Sequence, residues 1–82
     1  MILRDWLEQV DPIVDVEIWT PDDNEEPAFA GSALEIPWVY INYRLATKKE
    51  MEGEYPIFIG IHTNQYGVNR EVIVINIREE AD

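Results

Sequence analysis

The sequence predicts a small α+β domain in which an N-terminal helix packs on a mainly antiparallel sheet of about five strands. Near the N-terminus, apolar residues recur with the spacing of an amphipathic helix. Farther along the chain, segments alternate apolar and polar residues or are rich in Ile and Val, which is typical of strands. The chain has 82 residues, the length of one small domain, so residues 1–82 are expected to fold as a single domain.

The predicted helix rests on four apolar residues that share one helical face. At positions i, i+3, i+4 and i+7 stand Leu3, Trp6, Leu7 and Val10. Pro12 ends the helix, because the residue before a proline is pushed out of the α-helical region. We expect the apolar face to dock the helix on the sheet.

Five segments have the pattern of strands: Ile13–Thr20, Ala28–Ala30, Trp38–Ala46, Tyr55–His62 and Glu71–Arg78. In the first of them, alternation puts Val14, Val16 and Ile18 on the core face. Asp15 and Glu17 fall on the other face, where they are expected to meet solvent.

The last two strands form a wide hairpin around the turn residues Asn64–Gly67. In the first strand of the hairpin, three alternating residues are expected to face the core: Ile57, Ile59 and Ile61. In the second strand, one of two alternating sets faces the core, either Val72 and Val74 or Ile73, Ile75 and Ile77. The tail Glu79–Asp82 is expected to fray.

The connections are predicted from their turn and cap residues. Thr20–Pro27 holds two prolines and four acidic residues, which predicts an exposed loop. Ser32 and Glu35 have the spacing of a capping box, in which each side chain bonds to the backbone at the other position. One helical turn is therefore predicted, and it ends before Pro37.

Cysteine and histidine, which many metal sites and catalytic centres use, are scarce in this chain. Cysteine is absent, which excludes disulfides, thiolate metal sites and cysteine nucleophiles. His62 is the only histidine, so a single chain cannot build a two-histidine metal site. The glycines are isolated from one another, which excludes a glycine-rich phosphate loop. We therefore expect no cofactor and no metal, and we predict that the protein is not an enzyme.

Net charge is the strongest compositional feature, because 17 Asp and Glu against 6 Lys and Arg give −11 at pH 7. Such a surface repels nucleic acid and anionic lipid, so neither direct nucleic-acid binding nor membrane binding is expected. A charged partner is expected to be a protein with a basic surface. The alternative is that the acidity only keeps the protein soluble.

The expected location is the cytoplasm. No stretch of the sequence approaches the roughly 20 apolar residues that span a bilayer. The N-terminal residues have an acid at Asp5 and no long apolar run, so they do not have the pattern of a signal peptide.

The candidate binding surface combines aromatic residues with the acidic loop. Alternation puts the aromatic rings on strand faces opposite the predicted core faces, at Trp19, Trp38, Tyr40 and Phe58. If the sheet is covered on one side only, these rings are exposed, and exposed aromatic patches mark partner surfaces. If the sheet curls or forms a homodimer, they are buried. The predicted partner-binding residues are Trp19, Asp22, Asp23, Glu25, Glu26, Trp38 and Tyr40.

Two stretches of the first half also carry a resemblance. Leu3–Asp11 runs into Val14–Trp19, and Phe29–Trp38 is followed by a strand that ends at Leu45. In these stretches the chain resembles a group of short, acidic, uncharacterised proteins of Gram-positive bacteria, often encoded on prophages and conjugative elements. The resemblance implies a mobile genetic element as the setting and gives no residue a role.

These observations favour a non-enzymatic accessory protein of a mobile genetic element that binds a protein partner through an acidic, aromatic surface. The alternative is a nucleic-acid mimic that inhibits a host defence nuclease, with carboxylates standing where phosphates would. Charge geometry separates the two, because a mimic needs carboxylates in a row at phosphate-like spacing, whereas a binding protein needs only a local patch.

Overall fold

One short N-terminal helix and a five-stranded mixed sheet make up the computed structural model, which describes residues 1–22 and 25–80. In chain order the elements are α1 (Leu3–Leu7), β1 (Asp15–Trp19), β2 (Phe29–Ser32), β3 (Tyr43–Leu45), β4 (Ile57–Thr63) and β5 (Asn69–Glu80). Two 3₁₀ turns, Ala33–Glu35 and Trp38–Tyr40, lie between β2 and β3. The predicted α+β class is confirmed.

Strand β5 is the centre of the sheet, because it pairs along both of its edges. On one edge it runs parallel to β1, with Ile18 opposite Ile75, and β2 runs antiparallel on the outer side of β1. On the other edge β5 pairs antiparallel with β4 and then with β3. The pairing of β1 with β5 joins the two halves of the chain, so a local sequence pattern does not reveal it.

The main core lies on one face of the sheet. It consists of buried residues from the helix, the strands and the first 3₁₀ turn: Leu3, Val16, Ile18, Ala33, Ile36, Ile75 and Ile77. Trp6, Leu7 and Val10 are half-buried and pack against this cluster. The helix itself ends at Leu7, so Val10 belongs to the connection to β1.

Strand β1 confirms half of its predicted pattern. Val16 and Ile18 are buried as expected, but Glu17, predicted on a solvent face, is only 7% exposed. The reason is that β1 has a neighbouring strand on each side, and Trp19 and His62 contact the Glu17 carboxylate on that face.

The predicted strand Trp38–Ala46 is wrong in its first half. Trp38–Tyr40 forms a 3₁₀ turn, and only Tyr43–Leu45 is a strand. Pro37 caps the turn, with its carbonyl accepting a 3.1 Å hydrogen bond from the Tyr40 N–H, so the backbone coils where alternation alone predicted extension.

The predicted core face of the hairpin is also wrong at two positions. Ile59 and Ile61 are 67% and 66% exposed, because the main core ends near Ile57 and this part of the hairpin extends beyond it. In β5 both alternating sets contribute buried residues, since Val72 and Val74 are buried on one face and Ile75 and Ile77 on the other. The prediction that only one of the two sets faces a core is therefore wrong, because β5 is a central strand with buried residues on both faces.

Two smaller expectations also need correction. The 3₁₀ turn predicted before Pro37 is present, but the Ser32 side chain makes no capping hydrogen bond, so the capping box is absent. The tail expected to fray continues as strand to Glu80, and residues 81–82 lie outside the described residues.

Candidate protein-binding surfaces

An apolar groove lies between α1 and the two 3₁₀ turns. Its volume is about 390 Å³, and its walls are Leu7, Pro12, Ala33, Leu34, Ile36, Trp38 and Ile41. None of these side chains carries a charge. In a chain with a net charge of −11, this groove is a local apolar surface.

Backbone hydrogen bonds hold the walls of the groove in place. The Leu34 N–H donates to the Pro12 carbonyl at 2.9 Å, which fixes the first 3₁₀ turn against the connection between α1 and β1. The Arg4 N–H donates to the Ile41 carbonyl at 2.9 Å, which fixes the end of the second turn against α1. The groove is therefore formed without a partner, and a ligand would not have to order it.

Trp38 stands at the groove because of the proline before it. Ile36 has an extended backbone with φ −57° and ψ 127°, as residues before proline favour, and Pro37 follows with φ −59° and ψ 141°. This arrangement buries Ile36 in the core and leaves Trp38 84% exposed. An indole at that level of exposure presents most of its apolar surface to water.

The groove has a second exposed wall and an acidic border. Leu34 is 76% exposed. Three exposed acidic residues directly adjoin groove residues in the chain: Glu8, Asp11 and Glu35. An occupant of the groove would therefore meet apolar walls and negative charge together.

The described residues among those predicted to bind a partner line several different cavities. Tyr40 and Asp22 line a cavity of about 290 Å³ that also includes Tyr43, whose ring packs edge-on against Tyr40 at 5.8 Å. Trp38 lines the apolar groove instead, and Trp19 lines a third site. Glu25 and Glu26 are exposed near the acidic loop's end, and Asp23 lies outside the described residues.

The third site is built around the buried carboxylate of Glu17. The Trp19 indole N–H donates to Oε1 of Glu17 at 3.1 Å, and Nε2 of His62 lies 2.5 Å from Oε2. Phe58 and Val74 line the same cavity of about 290 Å³. Both oxygens of the carboxylate thus have a partner, which offsets the cost of burying it.

Across residues 1–22 and 25–80, no group of three or more His, Asp or Glu side chains is placed to hold a metal ion. His62 and Glu17 contact each other through Nε2 and Oε2. The arrangement is suited to fixing the strands β1 and β4 across β5.

A separate ion-pair cluster stabilises the loop before β4. Arg44 donates two hydrogen bonds to the Glu50 carboxylate at 2.7 and 2.8 Å, and the Thr47 N–H donates a third at 2.9 Å. These hydrogen bonds, with that from Arg44 the largest, lower the pKa of Glu50 from 4.5 to about 2. The cluster joins β3 to the following loop.

Sequence reasoning missed the groove and the Glu17 cluster. The groove brings together residues from the helix, the connection after it and two turns, so no local spacing marks it. The contact between Glu17 and Trp19 could have been expected from the sequence, because residues two apart on a strand share a face. The contact between Glu17 and His62 could not have been expected, because it depends on β1 and β4 both pairing with β5.

Models of protein families, curated proteins and solved structures contain no match to this chain. In the described part of the chain, no helix has the length and hydrophobicity needed to cross a membrane.

Proposed function

We propose that this protein is a small acidic accessory protein without enzymatic activity, and that it binds a protein partner in the groove beside Trp38. The observation that carries the proposal is the 84% exposure of Trp38 at the border of an apolar groove. Tryptophan is enriched among the residues that contribute most to protein–protein binding, because its large ring can be buried with little loss of conformational freedom.

The groove supports a protein segment as the occupant. Its walls are apolar and its volume of about 390 Å³ accommodates a few side chains. The exposed side chains of Leu34 and Trp38 stand on two sides and would be covered by a bound segment. Burial of apolar surface contributes about 25 cal/mol per Å², so covering these two residues is favourable.

The acidic residues beside the groove indicate which side chains a partner would carry. Glu8, Asp11 and Glu35 adjoin the groove, and the whole chain carries −11. A partner with Lys or Arg next to its apolar side chains would be attracted, and an acidic partner would be repelled. We therefore infer a segment with apolar side chains for the groove and basic side chains for its border.

The non-enzymatic part of the proposal rests on the absence of cysteine and on the single histidine of the sequence. The lone histidine is 2.5 Å from a carboxylate that also accepts a hydrogen bond from Trp19. This contact joins β1 to β4 across β5, which gives His62 a structural role. The setting on a mobile genetic element rests on the sequence resemblance alone.

Selection from a phage-displayed peptide library tests the proposal and needs no identified partner. The wild-type protein is the bait, and Trp38→Ala is the variant that should lose the selected peptides. Tyr66→Ala is the matched control, because Tyr66 is an aromatic residue with 80% exposure outside the groove. We expect peptides that combine apolar and basic residues, bound by the wild type and by Tyr66→Ala.

Two results would count against the proposal. Peptides that bind wild type and Trp38→Ala equally would show that the groove is not the binding surface. A protein that selects no peptide but displaces DNA from a nuclease would favour the nucleic-acid mimic, whose carboxylates would occupy a basic channel.

A further inference from the structure

Strand β4 is the long free edge of the sheet. It has seven residues, and within the described part of the chain it pairs with β5 alone. The other two edge strands are shorter, with four residues in β2 and three in β3. Natural sheets protect their edges by keeping them short or by adding lysine, proline or a bulge. Ile57–Thr63 contains no lysine or proline, and its register with β5 is continuous.

Hydrogen bonds at both ends of β4 reveal which backbone groups face outward. The Asn76 N–H donates to the Pro56 carbonyl at 2.8 Å, and the Asn64 N–H donates to the Val68 carbonyl at 3.0 Å. In an antiparallel pair, residues alternate between those that bond to the partner strand and those that do not. Because positions 56 and 64 bond inward, the odd-numbered positions present their N–H and C=O to the free edge: Ile57, Ile59, Ile61 and Thr63.

The side chains of this edge are apolar and uncharged. Ile59 and Ile61 are 67% and 66% exposed on the same face of the sheet. Residues 55–69 contain no Asp, Glu, Lys or Arg, and no other stretch of the chain of that length lacks all four. In a chain with a net charge of −11, this is the segment that a second copy can approach with least repulsion.

We propose that two copies of this protein pair through β4, antiparallel and centred on Gly60, to form one continuous sheet across a twofold axis. This register sets Ile59 opposite Ile61 of the partner copy, and Ile57 opposite the partner's Thr63. All four are positions with outward-facing backbone groups, so each opposing pair exchanges two N–H···O=C hydrogen bonds. The twofold axis makes the contact self-complementary.

The same register buries apolar surface on both faces of the joined sheet. On one face, Ile59 and Ile61 of each copy form a cluster of four isoleucines. On the other face, Phe58 lies opposite the partner's His62, next to the buried Glu17. At the twofold axis, Gly60 lies opposite Gly60 of the partner copy. The absence of a side chain there permits close approach of the two backbones. The dimer is closed, because the pairing occupies the long free edge of each copy.

Cysteine cross-linking tests the register, since the native chain has no cysteine. Opposing residues of this kind have Cα atoms about 5.5 Å apart, within the range of about 4.4–6.8 Å that a disulfide spans. Ile59→Cys and Ile61→Cys are mixed as reduced proteins and then oxidised. We expect a covalent dimer from the mixture and little from either variant alone, because the same position in two copies is a diagonal neighbour about 7–8 Å away.

Paired charge variants test the same register without a covalent bond. Ile59→Lys with Ile61→Lys sets like charges opposite each other and is expected to abolish the dimer. Ile59→Lys with Ile61→Glu sets opposite charges there and is expected to retain it. Both positions are exposed, so the fold of each copy should persist, and circular dichroism checks that it does.

The outcomes are measured by sedimentation velocity and by gels without reductant. A wild-type protein that remains monomeric overturns the proposal. Cross-linking of Ile59→Cys or Ile61→Cys alone, with none in the mixture, overturns the register centred on Gly60. Sedimentation of both double-charge variants as dimers shows that β4 is not the interface.

Discussion

The carboxylate of Glu17 and the imidazole of His62 meet across the central strand, with Oε2 and Nε2 2.5 Å apart. Glu17 lies on β1 and His62 on β4, and both of these strands pair with β5 between them. The Trp19 indole holds the second carboxylate oxygen at 3.1 Å. The contact thus connects β1 to β4 across β5, on the face where Val74 is buried.

His62→Ala is expected to lower the free energy of unfolding by about 1–3 kcal/mol, because the buried Glu17 carboxylate would lose one of its two partners. Arg70→Ala is the matched control on the same hairpin. Arg70 is exposed and lies 3.6 Å from Asp15, and exposed ion pairs contribute about 0–1 kcal/mol. Urea unfolding measures both variants. Equal, small losses would mean that the contact across β5 does not stabilise the sheet.

The buried end of α1 gives a second stability prediction. Leu3 is fully buried in the core cluster, so Leu3→Ala should lower the free energy of unfolding by about 2–5 kcal/mol. Leu34→Ala removes the same side chain from a position with 76% exposure and should change stability by less than about 0.5 kcal/mol. If denaturant unfolding gives similar losses for the two variants, the helix does not pack on the sheet as described.

The pKa of Glu50 gives a prediction of pH dependence. Its pKa falls from 4.5 to about 2 in the folded protein, mainly through the hydrogen bonds from Arg44. A carboxyl group with a lowered pKa stabilises the fold above its unfolded value, and this stabilisation is lost as the pH falls toward 2. Glu50→Gln should therefore be less stable than wild type at pH 7, and the difference should shrink between pH 4.5 and 2. A carboxyl resonance of Glu50 that titrates near pH 4.5 in NMR would contradict this.

Salt is expected to act in opposite directions on the two proposed interactions. Binding of a basic partner should weaken as salt screens the attraction, and neutralising the acidic border of the groove, Glu8, Asp11 and Glu35, to Gln or Asn should lower the association rate. Self-association through β4 should strengthen, because salt screens the repulsion between two chains of −11 charge. Surface plasmon resonance and sedimentation at low and high salt measure the two effects. An association rate that is insensitive to salt and to the neutralised border of the groove would leave the acidity as a solubility feature.

Much of the core could be predicted from the sequence in segments where the spacing of apolar residues follows the period of a single helix or strand. Alternation identified Val16 and Ile18, and both are buried. Alternation failed at Glu17 because burial there depends on strands that pair from distant parts of the chain. It failed at Ile59 and Ile61 because an apolar period shows which residues share a face, and does not show how far the core extends along that face.

The candidate binding surfaces could likewise be predicted from the sequence only in part. Sequence reasoning selected Trp38 for its expected exposure, and the structure leaves it 84% exposed, although on a 3₁₀ turn and not on a strand. The groove beside it was not predictable, because Leu7, Pro12 and Leu34 meet only through hydrogen bonds between separate connections. Strand alternation placed Trp38 and Tyr40 on one face, but both lie on the 3₁₀ turn that follows Pro37, where a period of two does not apply.

The affinity of one selected peptide, or of the partner from which it derives, for three proteins tests the central claim most directly. Isothermal titration calorimetry compares wild type, Trp38→Ala and Tyr66→Ala. We expect Trp38→Ala to weaken binding by at least about 2 kcal/mol, roughly thirtyfold, as loss of a central tryptophan does, and Tyr66→Ala to leave it unchanged. Binding that is the same for Trp38→Ala and wild type would contradict a partner site in the groove.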